Sequence, residues 1–553
     1  MKKHNIVKIV LITILVFLLL SWILPAAYYS GQYIDQGRVQ MGLYELFNYP
    51  LTSISYFGYI ALFIIFVGGF YGVLYKIPAY RTFLDKIVSI FNGKEKVFIS
   101  LVVILLAVGV SFCGLQLAYI FFIPFLVALI LLMGYDKIVA AMTIVGSVAV
   151  GMIGSTYAYS NLNVLTSTLS LKLDYQIGVR IVILIVGIFL VIFNTLSYIK
   201  KYMSSAKKVA PKEIKSTIED VTDEKNVVSK DKSTNKKSTS TKKGSTTKVS
   251  SKTTKPTKSK PSTSKSNTKA KSSRNNKAAL RDEDIIVVKE SVIDNYDNDK
   301  YLVPTRVEAT HKVWPFVCGF ILLFILVVLA FVAWGEGGFG LSLFDDITKS
   351  VSEFKIFGFP LFAKLYGTMN SFGTWTIIDL FLPISLLLTI LVIIYKVSFD
   401  DLLDGFANGV RKALLPAFIS VLIYTCLVLV TYHPYQLTIY KALLGIGKGF
   451  NIVTTLFVSI LASLFNGDIS YVSQSVIPYY TSVVTNTDNY SIVGVIFQSM
   501  YGFTMLFAPT SLILMSTLAY LKVSYKDWIK NIWKLLLELF IILLIVFIIL
   551  ALI

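Results

Sequence analysis

Of the 553 residues, 55% are hydrophobic and only 15% are charged, against about a quarter charged in soluble domains, so a water-soluble globular fold is excluded. The net charge of +20 is local: residues 201–281 hold 23 Lys+Arg against 6 Asp+Glu, or +17, and the rest carries 29 minus 26, or +3. Cys113, Cys318 and Cys426 sit singly in apolar runs, and His4, His311 and His433 are scattered. These offer no disulfide framework or metal-ligand spacing, and no P-loop or Ser/His/Asp set accompanies them, so neither an enzyme nor a cofactor is expected.

In chain order, Met1-Lys2-Lys3 and the apolar stretch to Ala27 resemble a signal peptide. The stretch exceeds the usual core of about 7 to 15 residues and lacks an A-x-A site after Pro25, so it reads as a retained first span. Further segments near the 20 residues a membrane helix needs are 56–76, 181–199, 313–334, 376–396, 415–431 and 532–553. Between them, residues 97–165 and 446–518 are apolar but interrupted by small and polar residues.

The first of these stretches carries Ser111-Phe112-Cys113-Gly114-Leu115-Gln116, then Pro124, Gly134-Tyr135-Asp136, Gly154-Ser155-Thr156 and Ser160-Asn161. The second carries Asn466-Gly467-Asp468-Ile469-Ser470, then Pro478, Asp488-Asn489-Tyr490 and Pro509-Thr510-Ser511. Gly114 to Pro124 is 10 residues and Gly467 to Pro478 is 11; Gly114 to Thr156 is 42 and Gly467 to Thr510 is 43. Matched spacing predicts an internal repeat, each unit a re-entrant hairpin (97–133 and 446–487) followed by a broken helix (138–165 and 489–518).

Placing the Lys-rich segment in the cytoplasm brings Arg81, Lys86, Lys137, Arg411, Lys412, Lys522 and Lys526 to the same side and makes the second unit repeat the first upside down. The expected fold is an all-α polytopic membrane protein, an inverted-repeat transporter with about nine transmembrane helices and two hairpins. Its amino end lies inside and its carboxyl end outside. The divisions are a first repeat (1–200), a cytoplasmic insertion (201–310), a linking helix (311–335) and the second repeat (336–553). Segments 79–91, 399–413 and 435–444 mix apolar and charged residues at helical spacing, as interfacial helices do, with short connecting loops as the alternative. Residues 204–279 are nearly all Lys, Ser, Thr, Asn and Pro, a composition that cannot bury enough surface to order itself. They are expected to be disordered, either as a solvated insertion or adhering to anionic lipids, with no specific nucleic acid as partner.

Breaks at matching positions of two repeats point to a transporter's binding site. A substrate carboxylate there needs hydrogen-bond donors rather than full charges, which are costly at the bilayer centre. Gly154, Ser155, Thr156, Ser160, Asn161, Pro509, Thr510 and Ser511 form the two break clusters, and Ser111, Gly114, Gln116, Asn466, Gly467 and Ser470 form the hairpin tips. Gln498 precedes the second break and lines the path, and carbonyls freed near Thr156 and Thr510 are expected to coordinate a sodium ion. Asp468 either binds a coupling proton or a substrate amino group, or turns the chain. The competing reading of the small residues is close helix packing.

These residues, with Trp22-Ile23-Leu24-Pro25-Ala26, Gly68-Gly69-Phe70-Tyr71-Gly72, Asp404-Gly405, Ala508-Pro509-Thr510-Ser511 and Tyr525-Lys526-Asp527-Trp528, resemble the YfcC-like branch of the C4-dicarboxylate anaerobic carrier (DcuC) family, in the ion-transporter superfamily. The resemblance spans both hydrophobic halves and implies an elevator-like secondary transporter of carboxylates or amino acids, with relatives that exchange arginine and ornithine. Where relatives carry acids after the first tip glycine, this chain has Leu115, Gln116, Leu117 and Ala118, so a feature suited to a cation or basic substrate is missing. The expected function is ion-coupled transport or exchange of a small organic acid, an amino acid first and a C4-dicarboxylate or short-chain carboxylate as the alternative. The coupling ion would be sodium or a proton, the membrane the bacterial cytoplasmic one, and a homodimer the expected assembly. A rival of another class is a non-transporting anchor or receptor that displays the basic segment.

Overall fold

A computed structural model describes residues 5–203, 302–305, 312–335, 337–367, 370–447 and 449–552. The expectations for residues 204–279, and nearly all of the 201–310 insertion, lie outside the described residues. Helix α1 (Asn5–Ile23) ends short of the predicted Ala27, because Pro25 stops it and the chain turns into an antiparallel ribbon of β1 (Ala26–Tyr29) and β2 (Tyr33–Gly37). Trp22 Nε1 fixes the exit by donating to the Met41 carbonyl at 2.8 Å.

The first half continues through α2 (Leu43–Leu74), α3 (Pro78–Ile90), α4 (Glu95–Cys113), α5 (Ile123–Leu132), α6 (Lys137–Ile153), α7 (Tyr159–Thr168) and α8 (Ile177–Tyr198). The second contains α9 (Trp314–Phe331), α10 (Leu343–Glu353), α11 (Leu361–Tyr366), α12 (Phe381–Ile394), α13 (Phe399–Tyr432), α14 (Gln436–Gly447), α15 (Ile452–Phe465), α16 (Ile469–Val483), α17 (Tyr490–Thr504), α18 (Leu512–Leu521) and α19 (Tyr525–Leu552). Seven described helices are long and apolar enough to cross a bilayer. One of them, α4, is a hairpin arm; the other six, the shorter α12 and the broken pairs α6–α7 and α17–α18 make nine crossings. Helix α19 shows why lipid must surround them: Trp528, Ile532, Leu535, Leu539, Leu543 and Phe547 are buried, while Trp533, Leu537, Ile541 and Ile545 on its other face are exposed and equally apolar.

The segment 399–413 is not a separate interfacial helix. It is the first part of α13, 34 residues long, and the reason is its packing on α2, which is itself 32 residues long. Gly405, Gly409 and Ala413 face Gly68 and Gly72 with backbones touching: a Cβ on Gly68 would lie 2.8 Å from the Gly409 carbonyl oxygen, and one on Gly409 would run into Gly68. Small residues at four-residue spacing permit such approach.

The contacts run antiparallel over the whole pair: Lys76 to Asp401 (3.4 Å), Phe57 stacked on Tyr424 (4.3 Å between ring centres), Ser53 Oγ to the Val421 carbonyl (3.0 Å) and Tyr49 to His433 (2.7 Å). The pairing is also self-complementary, as a twofold relation requires. Shifting Ser53 and Val421 by the repeat offset of 353 (467 minus 114) gives positions 406 and 68, and the Phe406 ring packs against the neighbouring Gly69. Helices α2 and α13 hold matching places in the two halves and pack antiparallel, which is the arrangement that an inverted repeat predicts.

Candidate functional site

Each hairpin is closed by a tyrosine of its second arm. Tyr119 donates to the Leu105 carbonyl (3.3 Å), and Tyr480 pairs with Thr455 (2.6 Å). The first tip turns at Gly114, whose φ of +72° is left-handed backbone that suits glycine.

The first broken helix opens after Ile153 and restarts at Tyr159, freeing carbonyls that must find donors at membrane depth. Ser111 Oγ donates to the Gly154 carbonyl (2.7 Å) and lies 3.1 Å from Thr156 Oγ1. Thr156 donates its hydroxyl (3.1 Å) and its N–H (2.7 Å) to the Ser111 carbonyl. Gln498 and Ser499 of α17 reach across from the other repeat: Gln498 Nε2 donates to the carbonyls of Ser155 (2.7 Å) and Ile153 (3.3 Å), and Ser499 to Ile153 (3.0 Å). Arg180 of α8, fully buried, donates Nε to Ser155 (2.7 Å) and a terminal nitrogen to Thr156.

The second break repeats the staple and changes the donors. Thr510 Oγ1 donates to the Leu464 carbonyl (3.0 Å), and positions 464 and 510 lie 353 and 354 residues beyond Ser111 and Thr156. Gly467 packs so tightly on the Thr510 carbonyl that a Cβ has no room. The freed carbonyls of Leu506 and Phe507 accept from Trp528 Nε1 (2.9 Å) and from the Tyr525 hydroxyl, which gives the Tyr525-Lys526-Asp527-Trp528 run a structural role.

Both tips and the second break border one cavity, lined by Gln116, Leu117, Met152, Tyr424, Gly467, Asp468, Tyr501, Met505, Ser511, Leu512 and Ile513. It encloses about 50 Å³. Ser511 caps α18, its hydroxyl accepting from Leu514 (3.5 Å) while its carbonyl accepts from Met515 (3.0 Å). The N–H groups of Leu512 and Ile513 then have no partner within their own helix, and both residues line the cavity at the positive end of α18. Asp468 caps α16 by accepting from Ser470 (2.9 Å) and Tyr471 (3.5 Å), and Tyr501 donates to the Gly467 carbonyl (2.9 Å).

Of the expected site residues, Gln116, Gly467, Asp468 and Ser511 line the cavity. Asn161 stands just behind, its amide paired in both directions with that of Gln116, one bond measuring 3.0 Å. Ser111, Gly154, Thr156 and Thr510 staple hairpins to breaks, and Pro509 belongs to the second break without lining the cavity. Gln498 is fully buried between the breaks, not on the path. Gly114 packs on Ser160; Ser160 is exposed and Ser470 half-buried. Among the described residues, the buried Ser155 hydroxyl and the Asn466 side-chain oxygen have no hydrogen-bond partner. Tyr424, Tyr501, Leu512 and Ile513 were not anticipated, and Tyr424 in particular lies in a run that reads as a plain span.

Near Thr156, where a sodium ion is expected, a guanidinium and two side chains of α17 donate to the freed carbonyls. Near Thr510, the Leu506 and Phe507 carbonyls each accept one side-chain donor, from Trp528 and Tyr525.

Inverted halves, broken helices that cross at their breaks, and hairpin tips meeting at one cavity define a multi-pass membrane carrier. The chain belongs to the C4-dicarboxylate anaerobic carrier (DcuC) family, whose model matches residues 4–249 and 289–552. An uncharacterized protein of Haemophilus influenzae is 28% identical over 142 residues, which cover 26% of this chain and 28% of that protein's length. No solved structure matches.

Proposed function

We propose that the protein carries four-carbon or other short dicarboxylates across the bacterial cytoplasmic membrane by alternating access, with its amino end in the cytoplasm. The observation that carries this reading is the cavity at the positive end of α18, where the N–H groups of Leu512 and Ile513, the Ser511 hydroxyl and the Gln116 amide supply donors for a carboxylate. The substrate class of the family points the same way, and so favours the dicarboxylate alternative over the amino acid expected first. Asp468 shares the cavity with the anion, and we assign it the coupling proton: a protonated Asp468 removes the like-charge repulsion that an ionised one would impose.

Asp468 also supports the amino-acid reading, since a carboxylate beside amide donors suits an ammonium and a carboxylate on one small solute. The test is uptake of labelled succinate, and separately of labelled amino acids, into liposomes holding the purified full chain. Saturable succinate uptake that unlabelled fumarate suppresses and amino acids do not is the expected result. Folded protein that moves no dicarboxylate under any ion gradient overturns the proposal, and uptake of amino acids alone replaces it with the second reading.

A further inference from the structure

Arg180 stands apart from every other charged group in the described core. It is fully buried, and four of the five N–H groups a guanidinium carries rest on main-chain carbonyls: Ser155 (2.7 Å), Leu173 (2.7 Å), Tyr175 (2.9 Å) and Thr156. Its Cζ lies 4.2 Å from the centre of the Tyr175 ring, and the Tyr175 hydroxyl donates to Gln498 Oε1 (2.8 Å), the same amide that donates to Ser155. Among the described residues no carboxylate forms an ion pair with it. An arginine near a helix end in a membrane ordinarily snorkels outward to water or lipid headgroups; this one instead turns its charge onto the carbonyls of a break.

A transporter break of this kind coordinates a cation through freed carbonyls, each of which has two lone pairs. Here Ser155 accepts from both Arg180 and Gln498, and Ile153 from both Gln498 and Ser499. Thr156 accepts from the cationic guanidinium, so a second cation on these carbonyls would meet both filled lone pairs and like charge. In the second break Leu506 and Phe507 accept from neutral Trp528 and Tyr525, and Ala508 from the Ser511 N–H (3.0 Å). We propose that the Arg180 guanidinium is the resident cation of the first break, doing there what a bound coupling ion would do, and that the carrier works without sodium at either break. Its consequence for transport rests on the dicarboxylate-carrier reading; its consequence for ion binding does not.

Thermal melting of the purified full chain in sodium chloride and in choline chloride, at equal ionic strength, tests the ion-binding half. The wild type is expected to melt within about 1 °C in the two salts, whereas a ligand bound only by the folded state raises the midpoint as its concentration passes its dissociation constant. A saturable rise of several degrees in sodium overturns the proposal. R180A is expected to melt lower and to recover part of the loss in millimolar guanidinium, a small cation shaped for the vacated carbonyls; R180A that melts like the wild type in choline also overturns it. Should R180A fail to fold, R180K keeps the charge with fewer donors and is expected to fold and to remain indifferent to sodium, so that sodium stabilisation of R180K counts against the proposal. In liposomes, succinate uptake is expected to stay within about twofold when sodium is replaced by potassium or choline, and a tenfold loss overturns sodium independence. If the wild type moves no dicarboxylate in any medium, the functional reading falls and the melting comparison still judges Arg180.

Discussion

Replacing Asp468 with Asn isolates the charge balance of the cavity. Asn caps a helix about as well as Asp, so the contacts to Ser470 and Tyr471 are retained and the fold should survive. The groups around Asp468 are phenols: Tyr59 of α2, Tyr424 of α13, Tyr471 of α16 and Tyr501 of α17. No Lys, Arg or His is among the described residues that line the cavity, so no cationic side chain there offsets an ionised Asp468 when an anion enters. Two unit charges about 5 Å apart at an effective dielectric near 20 repel by about 3 kcal/mol, or about two decades in affinity.

A wild-type carrier that binds its substrate together with a proton gains affinity as pH falls and loses it as pH rises, because the deprotonated form is the one that repels the anion. D468N has no such form, so its succinate uptake should be flat with pH, exceed the wild type on the alkaline side, and lose its acceleration by an inward proton gradient. Initial rates in proteoliposomes over about pH 6 to 8, with and without that gradient, decide the matter. A D468N profile that follows the wild type in both respects refutes the assignment of the proton to Asp468.

Trp528→Phe leaves the Leu506 carbonyl without its donor, a loss of about 1 to 3 kcal/mol for a buried polar group, and should appear as a lower melting midpoint with little change in substrate affinity. Gly409→Val drives a side chain into the Gly68 backbone at the α2–α13 seam; overpacking of this kind costs about 1 to 3 kcal/mol or more, and both melting and the yield of folded protein should fall. Deleting residues 204–279 should leave uptake within about twofold, since the segment supplies none of the residues that line the cavity, whereas an anchor or receptor function would disappear with it.

The repeat was legible because breaking a helix at membrane depth requires residues that a plain span avoids. Gly, Pro, Ser and Thr therefore stand out at matched spacing, and each half carries a like contact there: Thr156 on Ser111 and Thr510 on Leu464. What satisfies the opened carbonyls was less legible, because the donors come from elsewhere in the chain. Arg180 stands at the start of a span, where a lone arginine ordinarily reads as an interfacial residue, and only the fold brings it to Ser155. Gln116 and Asn161 both read as ligands in the sequence, but 45 residues of separation give no sign that their amides pair with each other. The segment 399–413 looked interfacial because Asp400, Asp401 and Asp404 gather at its start, while Gly405 and Gly409, which bind it to α2, carried the decisive information.

The limit of repeat symmetry lies in the same place. Adding the offset of 353 to Arg180 leads to Trp533, which is exposed on the outer face of α19, so the second break receives its donors from Tyr525 and Trp528 instead. Duplication has preserved the backbone device, a tip glycine, a stapling threonine and an opened helix, while the charge placed behind it has diverged. One break is cationic and the other neutral, and the aspartate lies at the neutral one. On the carrier reading proposed above, an anion in the cavity would therefore experience different fields from the two repeats, and the two access states of alternating transport would not be required to bind it equally well.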